Sequence, residues 1–269
     1  MERQEISTAC DGSSEQPEAR DWEQGGIRLD ELIELKDSKI DKKAFDLLKL
    51  MLKQHKELAH IEVVLVSPEE TPDTGGFFNR IQVNEQNFIP TIFIVLEDQE
   101  HLQRLKDTRR SSAQRVAQLL NIDFSQLSPS LLRQFIIAHE IDHARDYVRN
   151  YETNSEYQGA DAAEEWEVHY EANLSTMPAP GFDPVSLQEE VSKFKSLKDF
   201  LAAYPDVAKK IETSGIETIQ DLFDAQEVAY RTSPYESQAD NFAADFLRGN
   251  AKTLDISELI SDEGYDKAA

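Results

Sequence analysis

Residues 135–147 read FIIAHEIDHARDY, and two of the chain's six histidines stand there four residues apart, with a glutamate directly after the first. On a helix, His139 and His143 project from one face with Cβ atoms about 5–6 Å apart, so both rings can reach a single ion. The residues upstream predict that helix, because Ser128 can cap it and Pro129 sits where a missing N–H costs nothing. Imidazole suits zinc, whose ligands are tetrahedral nitrogen, oxygen or sulfur donors, and two histidines plus one carboxylate leave a fourth position for water. Glu140 adjoins that position. A zinc-bound water has a much lowered pKa, so Glu140 can take its proton as general base and later deliver it to a leaving amine. This is the logic of an HExxH motif.

The third ligand must come from elsewhere. An HExxHxxGxxH extension would need glycine at 146 and histidine at 149, where the chain has Asp146 and Arg149. A carboxylate from a second helix is the alternative, and two stretches place an acid four residues after a glutamate: Glu236 with Asp240, and Glu167 with Glu171. In YESQADNFAADFL, the small residues Ala239 and Ala243 lie beside Glu236 and Asp240 and allow close approach of the histidine helix. Asp240, one turn beyond the ligand, can accept the N–H of a zinc-bound histidine and fix its tautomer. In EEWEVHYEANL, Glu167 is the alternative metal ligand and His169 can also reach the metal, but Trp166, Val168 and Tyr170 interrupt a close helix contact. For a donor to a developing oxyanion, the candidates are Tyr147, His169, Tyr230 and Tyr235.

HEIDH followed by ESQAD resembles the gluzincin metallopeptidases, whose pattern is HExxH with a downstream ExxxD. The run PYESQADNFAADFL is similar to the glutamate-bearing helix of soluble ImmA/IrrE-type and CAAX-prenyl-endopeptidase-like proteins. The resemblance implies a zincin-like fold in which His139, His143 and Glu236 bind zinc, Glu140 is the base and Asp240 orients a ligand. It covers the strands, the histidine helix and the glutamate helix. The separation of His143 from Glu236 is longer than is usual in thermolysin and ImmA/IrrE-like proteins, so residues 151–233 must loop out. The membrane helices of the prenyl-endopeptidase group are missing.

The rest of the chain fits an α+β architecture. Ile40, Ala44, Leu47, Leu48, Met51 and Leu52 recur at helical spacing, predicting an amphipathic helix over 41–57. IEVVLV (61–66), FFNRIQV (77–83) and IPTIFIVL (89–96) read as strands of a small twisted sheet. In zincins an edge strand at the place of 89–96 pairs with extended peptide substrate. Its alternative is a central core strand. The basic cluster RLKDTRRSSAQR reads as a solvated helix face, and SLQE (186–189) as a capping box ahead of Leu187, Val191, Phe194, Leu197 and Leu201 on one helical face.

The expected organisation is a disordered leader over 1–25, a core with sheet and HExxH helix over 26–150, a helical insertion or lid over 151–232, the glutamate helix over 233–254 and an acidic tail over 255–269. With 28 Lys+Arg against 52 Asp+Glu, the formal charge of −24 repels phosphate backbones and anionic lipid. Neither nucleic acid nor a membrane is an expected partner; a peptide or protein substrate is. The polar leader lacks the apolar segment of a secretory signal, and the single Cys10 suits a reducing compartment, so the cytoplasm is the expected location. The function expected is a zinc-dependent endopeptidase, the alternative being a zincin scaffold that binds a partner without turnover.

Overall fold

The computed structural model describes residues 26–35, 40–84, 87–157, 159–257 and 260. The leader expected over 1–25 and all but four residues of the expected tail lie outside them. The protein is α+β. Its four-stranded sheet runs in the order β1-β2-β4-β3, from β1 (Ile27–Arg28), β2 (Glu62–Val66), β3 (Gly76–Asn84) and β4 (Asn87–Val95). β4 pairs parallel with β2 and antiparallel with β3, while β1 pairs antiparallel with β2.

Strand 89–96 is therefore not an edge strand. Ile92, Phe93, Ile94 and Val95 are buried on both faces of the sheet, and such a continuous apolar run belongs in its interior. The edge on its side of the sheet is β3, entered through the glycines of TPDTGG. A Cβ on Gly76 would stand 2.9 Å from the backbone oxygen of Phe93, and one on Gly75 would stand 2.7 Å from Ile136 Cδ1. Glycine at both positions lets the edge start tight against β4 and the histidine helix.

That helix, α5 (Pro129–Tyr147), begins as its sequence predicts, with Ser128 Oγ accepting the N–H of Leu131 at 3.1 Å. Leu131, Phe135, Ile137, Ala138, Ile141 and Ala144 are all buried, so helix α5 has apolar neighbours nearly all round. Arg133 fixes its first turns: it pairs with Asp41, the N-cap of α2 (Lys42–Gln54), and donates to Val95 O at 3.1 Å. The α2 face buries Ala44, Leu47, Leu48 and Met51. After Tyr147 the chain widens into a π-helical turn, Val148–Glu152, and continues into α6 (Ala160–Asn173).

The basic cluster read as a solvated helix face spans two helices, α3 (Gln99–Thr108) and α4 (Arg110–Leu119), and is partly inside. Lys106 is buried and donates to Leu127 O at 2.7 Å, while Arg115 turns inward to a carboxylate described below. The last helix, α11 (Pro234–Gly249), packs on α5 through the fully buried Ala239, Ala243 and Ala244.

The described chain divides into two compact units. Residues 151–175, within the segment read as an insertion, fold with the sheet and α5, whereas Thr176–Tyr230 forms the second unit. That unit contains α7 (Pro184–Ser192), α8 (Leu197–Ala203), α9 (Pro205–Ile211) and most of α10 (Ile219–Arg231) around Leu187, Val191, Phe200, Val207, Ile211 and Leu222. Its capping box lies three residues earlier than SLQE predicts: Asp183 is the N-cap and Ser186 closes the box. The apolar run from Leu187 to Leu201 then spans two helices rather than one face. Among the described residues no helix is long and apolar enough to cross a membrane.

Candidate metal centre

α5 and α11 bring His139, His143 and Glu236 together inside the first unit, each nearly inaccessible to solvent. One donor atom from each lies within 4.8 Å of the others. His139 Nε2 and His143 Nε2 are 3.1 Å apart; Glu236 approaches His139 Nε2 at 3.4 Å through Oε2 and His143 Nε2 at 3.2 Å through Oε1. Tetrahedral donors about 2.0–2.1 Å from a zinc ion stand about 3.3–3.4 Å from one another. The observed spacings fall close to that edge length, and the set of two imidazole nitrogens and a carboxylate is one that zinc accepts. Two ring nitrogens facing each other beside an acid form a group that could hold a metal ion.

Glu236 occupies the third position of α11, in the first turn, where the exposed N–H groups favour negative charge. Burial opposes its ionisation, but the His139 and His143 rings hold its carboxyl well below the usual carboxylate range. The same pairing acts on His139: burial and Arg231 work against a charged ring, yet Glu236 and Asp240 outweigh them and raise its pKa to about 9.

Asp240 is fully buried one turn along α11. His139 Nδ1 lies 3.1 Å from its Oδ1, near but not aligned as a full hydrogen bond. Arg115 Nε donates to Oδ2 at 2.8 Å and Arg231 Nη2 donates to Oδ1. Burial raises the Asp240 pKa, but Arg231, His139 and Arg115 together bring it below the usual carboxylate range. Negative charge on this side of the ring favours a proton on Nδ1, so that loss of a proton from the charged ring would leave the lone pair on Nε2, toward the site.

Glu140 lies beside this cluster and is fixed by the sheet: its Oε2 accepts the N–H of Phe78, on edge strand β3, at 2.9 Å. Burial pushes its carboxyl above the usual range, against the pull of His139 and His143.

Other residues nominated from sequence fall elsewhere. Glu167 is more than half exposed and pairs with Arg80 Nη2 at 3.2 Å, so Glu236 and not Glu167 joins the histidines. Tyr147 is a core residue packed against Phe78 and Trp166, and burial raises its pKa to about 12. His169 bonds to Tyr151 Oη through Nδ1 at 2.8 Å, and its Nε2 lies 3.1 Å from Glu165 Oε1. Tyr235 meets Tyr151, hydroxyl to hydroxyl, at 2.9 Å. Tyr230 belongs to the second unit.

Three residues at the centre are not marked as site residues by the sequence. Tyr170 donates its hydroxyl to Glu236 Oε1 at 2.6 Å, and its ring lies edge-on to His143 and stacks on Trp166 with centroids 4.9 Å apart. The four-residue spacing of Trp166 and Tyr170 marks them as one aromatic face, so the feature read as blocking helix contact instead forms a wall of the site. Arg231 and Arg115 carry no such local signal. No family model matches the chain, and no curated protein and no solved structure matches it either.

Proposed function

We propose that the protein is a zinc-dependent metallopeptidase with a zincin-like core, hydrolysing peptide bonds with Glu140 as general base. The observation that carries this reading is the mutual approach of His139 Nε2, His143 Nε2 and the Glu236 carboxylate at 3.1–3.4 Å, with Glu140 beside them. His139, His143 and Glu236 would hold the metal. When bound, zinc supplies Lewis-acid polarisation of the scissile carbonyl and a lowered pKa for the attacking water.

The chain's own groups do the rest. The Phe78 N–H occupies Glu140 Oε2 and holds the carboxylate in place, which leaves Oε1 to take up a proton and pass it to the departing amine. Asp240 sets the His139 tautomer, and the Tyr170 hydroxyl steadies Glu236. The aromatic wall of Trp166 and Tyr170 limits water around His143 and so strengthens every charge interaction there.

The test is metal content alongside peptide cleavage. Wild-type protein should carry about one zinc per chain. Glu140→Gln should keep the metal and lose cleavage, whereas Glu236→Ala should lose metal and Glu167→Ala should not. Zinc retained with no cleavage by the wild-type chain would favour a scaffold that binds a partner without turnover. No zinc in any form would sink the proposal.

A further inference from the structure

One cation already stands at the centre. Arg231 Nη1 donates to Glu236 Oε2 at 2.9 Å and lies 3.4 Å from His139 Nε2, so a single guanidinium nitrogen contacts two of the three side chains that would grip a metal. Its second terminal nitrogen, Nη2, is bound to Asp240. The side chain is largely buried, at 18 % exposure. Arg115 differs, touching Asp240 and Ser237 without reaching a ligand atom.

We propose that Arg231 is the internal counter-cation of the metal site: it neutralises Glu236 in the metal-free protein and competes with the metal for that carboxylate. The inference rests on the zinc reading above. Two like charges held a few ångströms apart repel strongly even in a partly screened pocket. A divalent ion entering between the histidines and Glu236 must therefore break the Arg231–Glu236 pair and drive the guanidinium toward its second anchor, Asp240. Arg231 thereby acts with opposite sign on two equilibria. It stabilises the metal-free fold, where Glu236 would otherwise be a buried carboxylate with less compensation, and it weakens metal binding. Reversible zinc occupancy follows from this arrangement, in contrast to a site that can fold only around its ion.

The experiment uses the full chain, with Arg231→Gln and Arg231→Lys, and reads zinc affinity by competition with a chromophoric chelator together with the thermal midpoint of the metal-free protein. Arg231→Gln should bind zinc about ten-fold or more tightly than wild type, and its metal-free form should melt at a lower temperature. Arg231→Lys keeps the charge and should stay within about three-fold of wild type in affinity. Equal or weaker zinc binding by Arg231→Gln, or an unchanged metal-free midpoint, overturns the inference while leaving the metal centre standing. If no form takes up zinc, both fall. Should Arg231→Gln not fold without metal, the wild-type chain decides. Zinc-induced infrared difference spectra of the wild-type chain should show guanidinium stretching bands that are missing from those of Arg231→Lys, and identical spectra for the two chains overturn the inference.

Discussion

Asp240 organises the centre although it is not one of the side chains that would grip the ion. Its two oxygens hold Arg115 and Arg231, and His139 Nδ1 stands 3.1 Å away. Replacing it with alanine takes the shared carboxylate from two guanidinium groups and leaves Arg231 only Glu236 and Arg115 only Ser237 of the partners named above, so Asp240→Ala should cost about 3–5 kcal/mol in urea denaturation. Asp240→Asn keeps an acceptor of the same shape and should cost less. A destabilisation below 1 kcal/mol for the alanine variant would mean that the arginines find other partners. The residues legible in the sequence are those set by short spacing: His139, Glu140 and His143 within one helical turn, and Glu236 with Asp240 within another. Tyr170, Arg231 and Arg115 were not legible as site residues. Tyr170 meets Glu236 across 66 positions and Arg115 meets Asp240 across 125, and no local periodicity encodes which helix faces will meet over such distances.

Helices and strands with strong local signals came out as read, while their neighbours in space did not follow from the pattern. Ser128 and Pro129 start α5, and Pro234 starts α11. β4, by contrast, has the same apolar run whether it lies at the edge or in the middle, and only the parallel pairing with β2 decides between them. The turn after α5 carries a prediction of its own. His60, ending the 3-10 turn Lys56–His60, meets Glu152 of the π-helical turn at 2.7 Å. The Glu152 hydrogen bond raises the His60 pKa, against the effects of burial and of Arg28. A raised folded pKa means that the stabilisation is complete below about pH 6.5 and is lost as pH climbs through the raised value. His60→Gln should therefore lower the urea midpoint at about pH 5.5 and have little effect at about pH 9. The ring is 41 % exposed, so solvent screening limits the difference to less than about 1 kcal/mol. An equal effect at both pH values would show that packing, not charge, joins the two turns.

For the molecule as a whole, the formal charge of −24 sets the field that any substrate enters. On the metallopeptidase reading, peptides with basic residues should be cleaved faster at low ionic strength than neutral ones, and the gap in kcat/KM should close as salt rises past about 0.15 M. Cleavage that ignores peptide charge at low salt would remove the field from the account. The α+β class was readable from the alternation of strand and helix patterns. The division of the 151–232 stretch was not, because Trp166 and Tyr170 carry helical spacing just as Leu187 and Val191 do, and periodicity does not say which core a face joins. The amide hydrogen of Phe78 belongs to the rim of the sheet and is already spent on Glu140. A visiting main chain that docks on that rim must either leave this hydrogen alone or take it, and taking it unclamps the carboxylate. On the metallopeptidase reading, recognition and reactivity would thus share a single atom, and the grip on a guest and the readiness of the base would be two readings of one contact.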